Sequence, residues 1–251
     1  MIWRWMLQGC EAAVNLVTAL ALVLCGSFGA YALWDNEQIL TSAADVRAEL
    51  LQWKPEPAQE GAEPDNAESF AKLREINPEV CGWITMEGTR IDHPVLQGGN
   101  NLSYINRDVF GNFSLAGSIF LDSRDDPAFG EGYALLYGHH MADGNMFGDL
   151  DNYLDRAFFD SHSTGQLLLP RGSYDLEVAA VLVVPASEKR IFDPDHVRGQ
   201  RENWLTFVRE EAVFLREEGL GEGQYLALST CSTEFTDART VVLTRMEGVT
   251  E

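Results

Sequence analysis

Cys231 is the residue best suited to covalent chemistry in this sequence. It ends the apolar run QYLALST at residues 224–230, and Arg239 follows eight residues later, at the start of the next apolar run. A free thiol with a pKa of about 8.5 is only a few per cent thiolate at neutral pH, and a nearby cation raises that fraction. Arginine also offers fixed N–H donors to a developing oxyanion. The two residues therefore have the chemistry of a nucleophile and its electrostatic stabiliser.

A histidine pair follows another apolar run and could supply the acid and base. His139 and His140 come directly after YALLYG at residues 133–138. If the strands that end at residues 139 and 231 are neighbours, the imidazole, thiol and guanidinium converge at one edge of a barrel. Spacing alone leaves a structural interpretation equally open, because a lone cysteine in a strand is usually core and a His-His pair is usually structural or exposed.

The cysteine count favours a free thiol over a disulfide framework. The chain contains four cysteines, Cys10, Cys25, Cys81 and Cys231. The first two lie in or near an apolar N-terminal segment, which leaves Cys81 and Cys231 as the pair outside it. They could form a disulfide, but a domain of this size does not need a lone disulfide for stability.

Composition predicts one globular domain with appendages and argues against nucleic-acid binding. The 251 residues are 45% hydrophobic, which is enough for a full core. The net charge is −21 and the isoelectric point is about 4.5. Phosphate binding needs clusters of basic residues, and the sequence has none.

The N-terminal region predicts a membrane anchor. Residues 12–34 carry no charge, and a helix of that length rises about 34 Å, enough to cross a bilayer core of about 30 Å. Arg4 precedes the segment and acidic residues follow it, which favours residues 1–11 in the cytoplasm and the rest of the chain outside. The alternative is a signal peptide cleaved after the A-x-A pattern that ends at Ala32.

A stalk and a linker are predicted between the anchor and the core. Residues 35–53 have the apolar spacing of a helix, and residues 54–69 contain three prolines and few large apolar side chains, which indicates a disordered linker. A short helix over 67–76 is expected to follow. We therefore divide the chain into a stalk and linker at 35–69 and a catalytic domain at 70–251.

The core is predicted to be mainly β. Short apolar runs separated by turn residues give eight strand candidates, which suits a closed barrel or a sandwich. They lie at residues 81–86, 91–96, 117–122, 133–138, 166–169, 174–184, 224–230 and 239–246. One late helix is expected over 202–219, capped near Asp193 and Pro194. It has Trp204, Phe207, Val208, Glu211 and Leu215 at helical spacing, and its apolar stripe is expected to be a packing face.

Two motifs carry a resemblance to a known family. LSTC at residues 228–231 with Arg239 on the next strand, and YGHHMADGNMFGDL at residues 137–150, resemble the sortases, cysteine transpeptidases of Gram-positive bacterial surfaces. The YGHxMxDGxMFxxL form is similar to class B. CGWI, DHPVLQGGNNLSYINRD, GSIFLD and the late helix agree, so the resemblance covers residues from about 70 to 247.

The resemblance implies a fold and a set of site residues. The fold is a sortase-like closed eight-stranded β-barrel, with N-terminal helices and a helix before the strand that ends in Cys231. His139, Cys231 and Arg239 form the catalytic triad. The family pattern T-L-x-T-C loses its first threonine, which is Ala227 here. The expected substrate-binding residues are Asn101, Ile105, Tyr137, Ser229 and Thr230.

The resemblance also implies a mechanism and partners. Cys231 attacks the threonine carbonyl of a C-terminal sorting motif of the NPxTx type, while Arg239 and a backbone N–H hold the oxyanion. His139 protonates the leaving amine. An amine of lipid II or of a pilin lysine then resolves the thioester on a surface protein or pilin, with no cofactor. The enzyme is expected at the cell membrane, single-pass, with its catalytic domain extracellular.

Two other classes of function are kept open. A secreted cysteine protease would use the same thiol and imidazole but transfer the acyl group to water. A non-catalytic surface binding module, with a metal held by His139, His140, Asp143 and Asp149, is the second alternative, although this spacing matches no strong metal signature.

Overall fold

The computed structural model describes residues 2–56, 66–231 and 237–248, without the side chains of Ile2 and Cys231. The chain forms two compact units, residues 1–42 and residues 43–251. The second unit begins earlier than residue 70, where the sequence places the start of the catalytic domain, because the end of the first helix packs into it.

The N-terminal helix is longer than predicted. Helix α1 runs without a break over Ile2–Leu51, whereas the sequence suggested separate helices at 12–34 and 35–53. It is long and apolar enough to cross a membrane, and its apolar stretch is exposed in the structure. Ala43 and Leu50, near its C-terminal end, are buried within the second unit.

The structure describes only the two ends of the predicted linker. Residues 57–65 lie outside the described ranges. At the flanks the expectation of disorder is wrong, because Pro55 is buried and the buried Asn66 donates from Nδ2 to the Leu169 carbonyl at 3.5 Å. Helix α2, Ala67–Ile76, follows and confirms the short helix expected there.

In the part of the chain that the structure describes, nine strands form one sheet, and eight of them close a barrel. The strands are β1 Val80–Met86, β2 Asp92–Leu96, β3 Ile119–Leu121, β4 Tyr133–His139, β5 Thr164–Leu168, β6 Ser173–Pro185, β7 Ala212–Leu215, β8 Gln224–Cys231 and β9 Ala238–Gly248. The order is β5-β1-β2-β3-β4-β8-β9-β6-β7, and a pairing between β5 and β6 closes the ring. The predicted eight-stranded barrel is therefore confirmed, and β7 is an additional strand paired to β6.

The strands that end at the site are buried on both faces. Along β8, Leu226 and Leu228 belong to one core cluster, whereas Tyr225 and Ala227 belong to another, which includes Trp204. Successive side chains of a strand point to opposite faces. The apolar run before Cys231 is therefore continuous, because one face fills the barrel and the other is covered by helices.

Three helices, rather than one, lie between β6 and β7. After the short helix α3, Arg156–Ser161, the segment between β6 and β7 holds α4 Lys189–Phe192, α5 Pro194–Gly199 and α6 Arg201–Glu211. Asp193 caps α5 rather than the long helix, accepting from the His196 N–H at 3.4 Å.

The helix expected over 202–219 is wrong beyond Glu211. Residues 212–215 form β7, which pairs with β6 through Phe214 opposite Val181 and Leu215 opposite Ala180. A continued helix would leave this edge of β6 without its ladder hydrogen bonds. Trp204 does face the core as predicted, edge-on against Tyr225 with ring centroids 5.1 Å apart.

Candidate active site

His139 and Cys231 are the last residues of two neighbouring parallel strands. Strands β4 and β8 pair in parallel, with His139 in register with Cys231. Paired strands lie about 4.8 Å apart, so the two backbones meet at the same end of the barrel. The Cys231 side chain is outside the described atoms, and its position is known here through its backbone.

Arg239 lies on the next strand, at the same end of the barrel. Strand β9 pairs antiparallel with β8, and Ser229 lies opposite Val241. Continued by two residues, this register sets Arg239 opposite Cys231. The sheet order β4-β8-β9 therefore makes the three strands neighbours, which is the condition for the three predicted catalytic residues to converge.

The His139 ring is held by one hydrogen bond. Its Nε2 lies 2.7 Å from the Ile105 carbonyl oxygen. A carbonyl oxygen only accepts, so Nε2 carries the hydrogen and Nδ1 is the nitrogen with a lone pair in the neutral ring. Gly117, at a φ of +61°, makes room for this arrangement, because a Cβ there would overlap the Ile105 oxygen and lie 3.0 Å from His139 Cδ2.

A cavity of about 240 Å³ opens beside these strand ends. It is lined by Asn101, Leu102, Ile105, Phe120, Tyr137, Ala186, Phe192, Thr230 and Arg239. Four of the five predicted substrate-binding residues are in this set. The fifth, Ser229, is buried in β8 and its hydroxyl donates to the Thr230 carbonyl at 3.2 Å.

Stacked aromatic rings form an apolar wall of the cavity. Tyr137 lies between two phenylalanines, with its ring centroid 5.3 Å from that of Phe120 and 6.4 Å from that of Phe192, nearly parallel to the latter. Sequence reasoning missed both phenylalanines. Phe120 lies in the predicted strand GSIFLD at residues 117–122. No local signal connects Phe192 in α4 with Tyr137 in β4, which lies far away in the chain.

A buried carboxylate holds the polar side of the cavity. Asp122 has a fully buried side chain, and its Oδ2 accepts from Asn101 Nδ2 at 2.8 Å and from the Tyr137 hydroxyl at 3.1 Å. Arg124 donates to both carboxylate oxygens, at 2.8 and 2.7 Å. Burial by itself would raise the pKa of Asp122, but the hydrogen bonds from Arg124 and Asn101 hold it below its usual value.

The second cysteine of the barrel, Cys81, is buried. Cys81 lies in β1 with 4% of its surface exposed, and its thiol lies 3.5 Å from the Val95 carbonyl oxygen. Burial raises its pKa to about 12. A thiol with this pKa carries almost no thiolate at neutral pH, so its environment suits packing rather than nucleophilic chemistry.

The residues of the alternative metal site have other partners. His140 is exposed and pairs with Asp151 at 3.0 Å, while Asp149 accepts from the Arg90 backbone N–H at 2.7 Å. Within the described ranges no three His, Cys, Asp or Glu side chains are grouped so that they could hold a metal ion.

Comparison with known proteins identifies relatives over the barrel and its flanking helices. A family model for the sortase domain matches residues 84–247. Sortase B of Listeria monocytogenes is 29% identical over 203 residues, covering 80% of this chain and 81% of that protein.

Solved structures agree in fold and in class. A Streptococcus pyogenes class B sortase involved in pilus biogenesis is 36% identical with a TM-score of 0.65, covering 71% of this chain and 97% of its own. Sortase B from B. anthracis is 30% identical with a TM-score of 0.70, covering 84% of this chain and 99% of its own.

Proposed function

Since the chain belongs to the sortase family, and to its class B, it is a cysteine transpeptidase, and we propose that it cleaves a C-terminal sorting motif of the NPxTx type after the threonine. The observation that carries the proposal is the register of His139 with Cys231 at the ends of two neighbouring parallel strands. The family acts on proteins that carry a sorting signal.

Cys231 is the proposed nucleophile. Its thiolate attacks the threonine carbonyl, and collapse of the tetrahedral intermediate breaks the peptide bond and leaves a thioester. The burial of Cys81, which raises the pKa of that thiol to about 12, supports Cys231 over the other thiol of the barrel. The thioester conserves the energy of the broken bond, so the transfer needs no cofactor.

His139 is the proposed acid and base. The hydrogen bond from Nε2 to the Ile105 carbonyl fixes the ring. In the proposed resting pair His139 is an imidazolium beside the Cys231 thiolate, so Nδ1 carries the proton that is given to the leaving amine. The same nitrogen then accepts the proton of the incoming amine, as microscopic reversibility requires.

Arg239 is the proposed oxyanion donor. It lines the cavity beside Thr230. The register of β8 with β9, continued by two residues beyond the Ser229–Val241 pair, supports a position opposite Cys231. A guanidinium donates in fixed directions and keeps its charge, which suits an oxyanion that forms in a water-poor cleft. A backbone N–H is the proposed second donor.

The proposed amine is that of lipid II or of a pilin lysine. In both cases the amine attacks the thioester, an amide bond forms and the thiol of Cys231 is released. The Streptococcus pyogenes relative is a class B sortase involved in pilus biogenesis, which supports a pilin as one candidate acceptor.

We place the enzyme at the cell membrane with its N-terminus inside. The support is α1, one helix long and apolar enough to span a bilayer, with Arg4 before the uncharged segment and acidic residues after it. The catalytic unit then faces the substrates at the outer surface.

A peptide with an NPxTx motif, incubated with and without an added amine, tests the function. We expect the amine adduct of the peptide, seen by mass spectrometry, to replace the hydrolysed product as the amine concentration rises. Cys231→Ala should form neither product, whereas Cys81→Ala should form both. If the amine changes neither rate nor product, the enzyme is a protease and the proposal is wrong.

A further inference from the structure

The turn between β3 and β4 holds two buried carboxylates, each paired with an arginine. Asp122 is paired with Arg124, and Asp125, whose side chain is 1% exposed, is paired with Arg198 at 2.8 Å. The two acids lie three residues apart, but the pKa of Asp122 is held below its usual value, whereas burial raises that of Asp125 to about 6. Only Asp122 contacts residues of the cavity.

Asp122 fixes the orientation of Asn101. The Asn101 amide donates from Nδ2 to Asp122 Oδ2 at 2.8 Å and accepts at Oδ1 from the Ser123 backbone N–H at 2.8 Å. Both ends of the amide are therefore engaged by the same turn, and its second Nδ2 hydrogen has no acceptor among the residues that the structure describes. That hydrogen is the natural donor to a peptide carbonyl in the cavity.

The same carboxylate connects two other segments of the cavity wall. Its Oδ2 also accepts from the hydroxyl of Tyr137 on β4. Arg124, held by Asp122, donates to the Phe192 carbonyl at 2.8 Å and pairs with Asp193 at 3.3 Å. One buried charge thus joins the loop of Asn101, the strand of Tyr137 and the helix of Phe192.

We propose that Asp122 is the positioning residue of the sorting-peptide pocket, acting through Asn101, Tyr137 and Arg124 rather than by touching the reacting atoms. This inference rests on the proposed function, because the cavity is taken to hold the donor peptide. The loss of one hydrogen-bond donor costs a buried carboxylate far more free energy than it costs an exposed one. Its partners therefore keep their mutual positions, and a peptide meets a preformed pocket.

Asparagine at position 122 is the sharpest substitution. Oδ1 accepts from the Arg124 backbone N–H and Nε, while Oδ2 accepts from Asn101, Tyr137 and Arg124. An asparagine amide has one oxygen and one NH₂ group, so either orientation turns a donor toward donors. The volume is unchanged, which keeps the packing intact.

Asp125 offers a matched control in the same turn. It accepts from the Leu135 backbone N–H at 2.8 Å and from Arg198 at 2.8 Å, and neither partner lines the cavity. Arg198 anchors α5 through the Tyr133 carbonyl at 3.2 Å. Asp125→Asn therefore disturbs a buried ion pair of the same kind without touching the pocket residues.

The test compares the two variants in the full-length enzyme with the NPxTx peptide. Asp122→Asn should raise KM up to about 10-fold, the range for loss of one neutral hydrogen bond from Asn101 to the peptide, with a smaller change in kcat. The rate at which a small alkylating agent labels Cys231 should stay unchanged. Asp125→Asn should leave KM within about twofold of wild type, even if it lowers the melting temperature as much as Asp122→Asn does.

Equal effects on KM in the two variants, or an unchanged KM in Asp122→Asn, would overturn the inference. If Asp122→Asn does not fold, Arg124→Lys takes its place, because it removes the bidentate contact and keeps the charge. It too should raise KM and leave the alkylation rate of Cys231 unchanged.

Hydrogen exchange separates this inference from the proposed function. If wild type processes no NPxTx peptide, the function is wrong, and amide exchange still decides the role of Asp122. Faster exchange over residues 99–105 in Asp122→Asn, but not in Asp125→Asn, sustains the positioning role. The same exchange in both variants refutes it.

Discussion

Cys81 should be alkylated orders of magnitude more slowly in the native protein than in the unfolded chain. Cys81 is 4% exposed in β1, and its pKa is raised from 9.0 to about 12 because burial disfavours the thiolate. Alkylating agents react with the thiolate. At pH 8 a thiol with a pKa of 9.0 is about 10% ionised, whereas one with a pKa of 12 is about 0.01% ionised, a difference of about a thousandfold.

Iodoacetamide labelling of the native full-length protein at pH 8, followed by peptide mass spectrometry, measures this ratio. The peptide of Cys81 should be labelled about a thousandfold more slowly in the native protein than in urea, where its pKa returns to an ordinary value. Loss of turnover should follow the labelling of Cys231.

Two results would refute this reasoning. One is labelling of Cys81 in the native protein at a rate within tenfold of the rate in urea. The other is a loss of turnover that tracks the labelling of Cys81 while Cys231 is unmodified, because this would make the buried thiol the functional one.

Three further predictions concern stability, catalysis and topology. Burial lowers the pKa of His93 to about 4. At this site the unfolded chain therefore binds more protons between pH 6.5 and 4, so His93 costs up to about 3 kcal/mol of stability as pH falls through this window. Asp125 acts in the opposite direction, because burial raises its pKa to about 6. The predicted quantity is therefore the difference between wild type and His93→Gln in urea denaturation, and equal slopes would contradict it. Arg239→Lys should lower kcat about 100-fold or more with little change in Cys231 alkylation, and near-normal turnover would leave Arg239 as a generic cation. Protease added to intact protoplasts should digest the catalytic unit, and a mature chain that begins at Leu33 would instead indicate a cleaved signal peptide.

The strands could be predicted because each is a short apolar run between turn residues. The exception is β7, where Ala212–Leu215 continues the apolar spacing of α6. A helix and a strand fit these four residues equally well on local grounds. The free edge of β6 decides between them, and that edge exists only once the barrel has formed.

The candidate site was predictable where a motif lies at the end of a strand. His139, Cys231 and Arg239 follow or begin apolar runs, so the neighbouring strands β4, β8 and β9 place their backbones at one end of the barrel. Asp122 and Phe192 carry no such signal. An aspartate after a strand is usually a turn residue, and its role here depends on Asn101 and Tyr137, which other segments bring to it.

The barrel is closed by two strands that come late in the sequence, β8 and β9. Strand β8 lies between β4 and β9, and β9 pairs with β6. Until residues 224–248 have been synthesised, β4 and β6 each present an unpaired edge, which is a template for association with other chains. A chain that stops before β8 should therefore aggregate rather than form a smaller barrel. Because the proposed nucleophile, Cys231, ends β8, it reaches its place only in the folding step that closes the barrel.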